Sequence, residues 1–288
     1  KKLPWKDWLR PDVPVRVEAT CRKSRIYHDR AAAQRVEGAL AAAGIALSRD
    51  SAVTLKVRIE DDLCTISVDT SGESLYKRGL KVQVNKAPMR ETLAALFLRT
   101  SGFDGREPVF DPMCGSGTFV IEAAEIALGL LPGRERHFAF EQLASFDLEE
   151  WNAMRASAPA GEPGLEFTGS DRDQGAIHMS KANAERAGVG AVTRFTCAPI
   201  SAATPPDGPP GLVIVNPPYG GRIGNKAPLH GLYAAFGTRM KECFTGWRVG
   251  LITSEPGLAR ATGLDWSATG PVVDHGGTKV RLYQTGAL

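Results

Sequence analysis

Asn216-Pro217-Pro218-Tyr219 follows directly on the apolar run Leu212-Val213-Ile214-Val215. A run of four β-branched and aliphatic residues reads as a buried strand, and the two prolines after it end the ladder and stiffen the turn. The turn brings one amide, one backbone carbonyl and one aromatic ring to the rim of a sheet. That set suits a flat ligand bearing an amine: the Asn216 side-chain oxygen and the Pro217 carbonyl each accept an N–H, and the Tyr219 ring stacks on the plane. The exocyclic amine of a nucleobase is a poor nucleophile because its lone pair is drawn into the ring. Two acceptors that aim the lone pair raise its reactivity without a strong base, a gain from orientation and charge placement. The chemistry implied is modification of a nucleobase amine.

Two further acids end apolar runs of their own. Asp111 opens Asp111-Pro112-Met113-Cys114-Gly115-Ser116-Gly117-Thr118, and Asp171 stands in Ser170-Asp171-Arg172-Asp173. The Gly115-x-Gly117 turn lets backbone approach a ligand closely. A third glycine is replaced by Val120 and no phosphate-loop lysine follows, which argues against a dinucleotide or ATP. Asp171 has the place from which an acid accepts hydrogen bonds from ribose hydroxyls, and Asp173 reads as the cap of the next helix. Glycine turn, ribose acid and the Asn216 turn, in that order, point to S-adenosylmethionine beside a planar amine. Cys114, inside the glycine turn, reads as a packing residue rather than a nucleophile.

The elements that must position these residues are legible as alternating patterns. Val109-Phe110, Leu165 to Gly169, Val192 to Thr196, Leu212 to Val215 and Val249 to Ile252 read as strands. Helices are expected through Phe119 to Leu128, Ile177 to Ala187 and Leu229 to Cys243. Strand, turn and helix in repetition imply a doubly wound, Rossmann-like α/β sheet, with Asp111, Asp171 and Asn216 converging outside the strand ends. Val272-Val273, Gly276-Gly277 and Val280 to Tyr283 read as a closing hairpin. Ahead of this lie an alternating strand at Val13, Val15 and Val17, a helix from Asp29 closed by Gly44, and a hairpin from Val53 to Val68. This small α/β module has too little apolar surface to stand alone. A helix opening at Ala87-Pro88 and running to Arg99 starts the larger part. The expected domains are residues 1–80 and 81–288, with 132–162 as an inserted segment.

Whole-chain properties bound the reading. The 288 residues hold 43% hydrophobic and 23% charged residues, the balance of a soluble globular protein. No apolar run spans a membrane, no secretory leader is visible, and five scattered cysteines without Cys-x-x-Cys pairing or a histidine cluster argue for a cytoplasmic setting without metal or disulfides. The net charge of +3 divides unevenly at Lys86, with 17 Lys or Arg against 11 Asp or Glu before it and 18 against 21 after it. A basic front end suits a nucleic-acid-binding module.

With these residues in hand, the chain resembles the THUMP-containing class I RNA methyltransferases, most closely the large-subunit (23S) ribosomal RNA guanine-N2 methyltransferases. Gly72 to Gly79, Ala87 to Glu91, Asp111 to Thr118 and Asn216 to Gly220 carry the resemblance, which covers nearly the whole chain. It implies an RNA-binding THUMP region up to about residue 70 and a catalytic turn at Asn216, Pro217, Pro218 and Tyr219. It implies donor contacts from Asp111, Met113, Gly115, Gly117, Thr118, Asp171, Arg172, Ile200 and Asn216, and RNA contacts from Lys77, Arg78 and Arg222. Two positions depart from the family. Pro199 stands where an acid meets the adenine amine, which implies either a weaker hold on the donor or more recognition by the Ile200 backbone N–H, and Gly221 replaces a glutamate.

Rivals remain open at this point. Transfer RNA is an alternative substrate. The same turn serves adenine amines of DNA and the side-chain amide of protein glutamine, although only about 70 residues follow Tyr219 for target recognition, and a glutamine substrate leaves the basic front end unexplained. A donor-binding RNA module without turnover is the reading from a different class.

Overall fold

The computed structural model describes residues 3–81, 89–157, 164–219 and 227–288. In chain order the first elements are β1 (Arg16–Arg22), α1 (Asp29–Ala42), β2 (Thr54–Glu60), β3 (Leu63–Asp69), α2 (Glu91–Thr100), β4 (Val109–Asp111), α3 (Thr118–Ala127) and α4 (Leu148–Ala156). They continue with β5 (Phe167–Asp171), α5 (Gln174–Arg186), β6 (Thr193–Cys197), β7 (Leu212–Val215), α6 (Ala227–Cys243), β8 (Arg248–Thr253), α7 (Pro256–Ala261), β9 (Ala268–Thr269), β10 (Val273–His275) and β11 (Thr278–Gln284). Two units result: residues 1–75 with 135–157, and residues 76–134 with 158–288.

In the first unit β1 runs parallel to β2, and β3 returns antiparallel along β2. The β2–β3 turn is Asp61-Asp62 with φ of 50° and 62°, the left-handed pair of a tight hairpin that aspartate tolerates. Continuous pairing of β1 starts at Arg16, later than the expected Val13, and Val15 makes only a single bridge to Leu47. Pro14 is the reason: it has no N–H to give a ladder. The core gathers Val15, Leu40, Ile45, Val53 and Leu55 around Leu9 and Leu143.

Leu143 comes from the inserted segment, whose role the sequence left blank. The Ala144 amide donates to the Trp8 carbonyl at 3.0 Å and the Phe140 amide to the Thr70 carbonyl at 3.1 Å. Phe140 stacks on Phe138 and meets Trp151 of α4 edge-on. The small front module is thus completed by residues 135–157. This also corrects the charge reading. With 135–157 included, the first unit holds 15 Lys or Arg against 16 Asp or Glu, and the second holds 20 against 16. The front-end basic excess came from a cut at Lys86 that the fold does not make.

The second unit is built on a sheet ordered β10-β11-β8-β7-β4-β5-β6, with β9 beside β11. Strands β4 to β8 are mutually parallel, and β11 enters antiparallel against β8. Successive residues of a strand point to opposite faces, so in β7 Leu212 and Ile214 join the cluster under α2, α3 and α5. Val213 and Val215 join the one under α6 and α7. That two-sided burial is why β7 reads as an unbroken apolar run. The short helix α7 and strand β9 were not legible in the sequence, being six and two residues long.

Candidate active site

The chain lays down β4, then β5 and β6 on one side, and returns to the other side of β4 with β7. The gap between the strand ends at this reversal is where ligands bind in such sheets. Asp111 ends β4, Asp171 ends β5, and Asn216 follows β7. The fold therefore brings the three expected residues to one edge.

Asp111 is buried, and its Oδ1 accepts the Met113 amide at 3.0 Å. Burial pushes its carboxyl from the usual 3.8 up to about 8, with the nearby Asp171 adding to the rise. Asp171 holds the glycine turn directly. Its Oδ2 accepts the Gly115 amide at 3.0 Å and its Oδ1 accepts the Asp173 amide at 3.0 Å. The helix cap falls to Asp173, whose Oδ1 accepts the Gly175 amide at 2.8 Å.

Gly117 sits at φ 83°, and a Cβ there would press on Ser180 and the Phe195 ring at 3.1 to 3.2 Å. Gly115, at φ 54°, faces open space where a Cβ would meet nothing within 4 Å. One glycine permits the packing of the turn and the other leaves its outer surface bare for a ligand. The turn is braced from behind by α5. Ser180 Oγ donates to the Gly115 carbonyl at 2.8 Å and Asn183 Nδ2 to the Ser116 carbonyl at 3.0 Å. The sequence reading missed this pair, although two polar residues three apart on the face that carries Ile177 and Ala184 were the available signal. Thr118, expected at the donor, is buried, and its Oγ1 accepts from Lys81 Nζ at 3.1 Å. Cys114 is buried against Gly169 and Ser180, and burial pushes its thiol well up, which removes it as a nucleophile.

Beyond β7, the Asn216 Oδ1 is sealed from solvent and has no hydrogen-bond partner among the described residues. A buried acceptor left open is costly in a folded chain. Tyr233 of α6 supports the turn, its hydroxyl lying 3.4 Å from both the Pro218 carbonyl and Thr253 Oγ1. The Tyr219 ring packs partly against both cores, and its hydroxyl is 2.8 Å from His275 Nδ1. Met113 is partly buried, Ile200 is buried beside Phe110 and Val213, and Arg172 is exposed at the end of β5. Pro199 starts the short 3₁₀ turn at Ile200–Ala202.

Of the expected RNA contacts, Lys77 is exposed and Arg222 lies outside the described residues, as do Ala87-Pro88, Gly220-Gly221 and 158–162. Arg78 requires correction. It is 7% exposed, and its guanidinium lies 3.0 Å from Glu122 and 3.6 Å from Glu125 of α3. Two buried carboxylates demand a buried cation, so Arg78 ties the connector to α3 instead of meeting phosphate. Among the described residues no group of three or more His, Cys, Asp or Glu stands ready to hold a metal ion, and no helix is long and apolar enough to cross a membrane.

Residues 78–274 match the UPF0020 family, the RMKL-like methyltransferase domain. The chain belongs to this family. A Synechocystis sp. protein named as a candidate RNA methyltransferase is 31% identical over 99% of this chain and 77% of its own length. The ribosomal RNA large subunit methyltransferase K/L of Psychromonas ingrahamii is 38% identical over 75% of this chain, which spans 30% of that protein. Among solved structures, a candidate methyltransferase in complex with SAH superposes with a TM-score of 0.85 at 26% identity, covering 99% of this chain and 78% of the other. The fold is that of the Rossmann-like class I methyltransferases.

Proposed function

We propose that this protein is an S-adenosylmethionine-dependent RNA methyltransferase acting on the exocyclic N2 amine of a guanosine in 23S ribosomal RNA. The observation that carries the reading is the buried Asn216 Oδ1 directly after β7, unpartnered among the described residues, on the far side of the reversal from Asp171 and the bare Gly115 turn. Membership in the methyltransferase family supports the reaction, the SAH-bound relative supports the donor, and the names of the relatives support RNA. Guanine and its N2 amine rest on the resemblance of the Asn216 to Tyr219 turn.

Bound at this edge, S-adenosylmethionine supplies an electrophilic methyl group. The chain's own residues do the rest. Asp171, fixed by two backbone amides, keeps acceptor capacity for ribose hydroxyls. Asn216 Oδ1 and the Pro217 carbonyl accept the two amine hydrogens and thereby aim the nitrogen lone pair. Tyr219 stacks on the base, which must leave its helix to reach the turn. Residues 1–75 with 135–157 act as the THUMP-like RNA-binding unit, Lys77 contacts phosphate, and Ile200 meets the adenine through its backbone.

The test is mass spectrometry of nucleosides from 23S RNA of a deletion strain, with the purified chain and labelled donor added back. Loss of one N2-methylguanosine and its restoration in vitro is the expected result. Restoration only on transfer RNA would move the substrate, a methylated adenine would replace the base, and donor binding without transfer to any RNA would overturn the enzyme reading.

A further inference from the structure

The closing hairpin reaches back to the catalytic turn. In the sheet, β10 stands three strand positions from β7, beyond β8 and β11. His275 ends β10 and pairs with Thr278 across the Gly276-Gly277 turn, whose φ values of 61° and 85° are the left-handed pair of a tight hairpin. Asp274 Oδ1 accepts the Gly277 amide at 3.1 Å and stiffens that tip. From it the His275 Nδ1 lies 2.8 Å from the Tyr219 hydroxyl. The family match ends at residue 274, one residue short of this histidine.

We infer that His275 is a positioning residue that fixes the direction of the Tyr219 side chain for the target base. This rests on the proposed function, in which Tyr219 stacks on the nucleobase. A tyrosine ring turns about two side-chain bonds, and packing against its sides limits only part of that freedom. The hydroxyl lies on the ring's own rotation axis, so a hydrogen bond there fixes the direction of the side chain while packing limits the turn of the ring about that axis; the stacking surface is prepared before RNA arrives and less ordering is required on binding. The contact also explains why the hairpin is aimed at this turn: it is a strut from the sheet edge to a residue that follows β7. Either tautomer of the imidazole maintains it, since the tyrosine hydroxyl both donates and accepts.

The experiment uses the full chain as Tyr219→Phe, His275→Ala, His275→Asn and the Tyr219→Phe/His275→Ala double variant. The readouts are kcat and KM for RNA from a deletion strain, together with donor affinity by calorimetry. Loss of one hydrogen bond of this class corresponds to about a fivefold fall in kcat/KM, and we expect it in both Tyr219→Phe and His275→Ala. The loss falls mainly in KM for RNA, because stacking is present before and during transfer alike. Donor affinity stays within about twofold, and the double variant is no worse than Tyr219→Phe alone, as groups acting on one contact require. His275→Asn, which keeps a polar atom near the Nδ1 position, recovers most of the activity. Additive losses in the double variant, or full activity in His275→Ala, would overturn the inference. Should His275→Ala fail to fold, Tyr219→Phe and His275→Asn supply the same comparison. If the wild-type chain methylates no RNA, the functional reading falls. The pair is then judged by imidazole nitrogen NMR, where an unchanged His275 signal in Tyr219→Phe overturns it independently.

Discussion

At the residue scale, Asn216 and Asp111 both withdraw a polar group from water, with different consequences. Asn216 has a buried acceptor awaiting a partner, so Asn216→Ala removes little from the fold and much from the reaction. We expect transfer to fall by about a hundredfold or more, in line with loss of one preorganised group at a reacting centre, while donor affinity by calorimetry changes little. Near-normal turnover would dismiss the amine-orienting role. Asp111 has a carboxyl that burial pushes up to about 8. Its folded value lies above its unfolded one, so the folded state binds the extra proton between the two. The stability it contributes is complete below about pH 4 and is lost as pH rises through about 8. Glu122, pushed up to about 9 by burial against the pull of Arg78, acts in the same direction. Urea midpoints of the ligand-free chain should therefore fall from pH 5 to 9, and Asp111→Asn should flatten part of that slope. An identical slope in Asp111→Asn would place the buried charge elsewhere.

At the element scale, the glycine turn and the connector owe their shape to helices that are distant in sequence. Gly117→Ala forces a Cβ onto Ser180 and Phe195 in a left-handed backbone, at a cost of about 1–3 kcal/mol. Thermal unfolding should show it as a lowered midpoint, together with weaker donor binding, and an unaltered midpoint would mean that α5 yields easily. Arg78→Met leaves Glu122 buried without its cation, while Glu125 keeps Arg134 at 2.6 Å, and should destabilise the second unit by about 3–5 kcal/mol. Lys77→Ala should instead reduce the salt dependence of RNA binding by roughly one phosphate contact. A reduced salt slope in a folded Arg78→Met protein would return that residue to the interface. The neighbouring residues Lys77 and Arg78 look alike in sequence; one is exposed and the other 7% exposed.

At the scale of the whole molecule, the front unit depends on a segment that leaves the second unit and returns to the first. Leu143→Ala opens a cavity among Leu9, Val15 and Leu55 and should cost that unit about 2–5 kcal/mol, while donor binding by the second unit survives. Loss of both together under urea, followed by tryptophan fluorescence and donor binding, would show that the units unfold as one. The parallel sheet and the residues at its edge were legible in the sequence because each depends on local order. An unbroken apolar run announces a strand buried on both faces, and the residue directly after the run must stand at the strand's end. Asp111, Asp171 and Asn216 could thus be assigned to one edge from chain order alone. Pairings between residues far apart in the chain were not legible, since nothing near Tyr219 points to His275, nothing near Gly115 names Ser180, and nothing near Leu9 names Leu143. Burial decided Arg78, because a cation's partners are chosen by packing and not by its neighbours in sequence. The sequence by itself determined the strand order's raw material and the chemistry at the strand ends, through local periodicity and turn residues. The tertiary structure decided which of those residues face the cleft, which are enclosed, and which distant side chains hold them there.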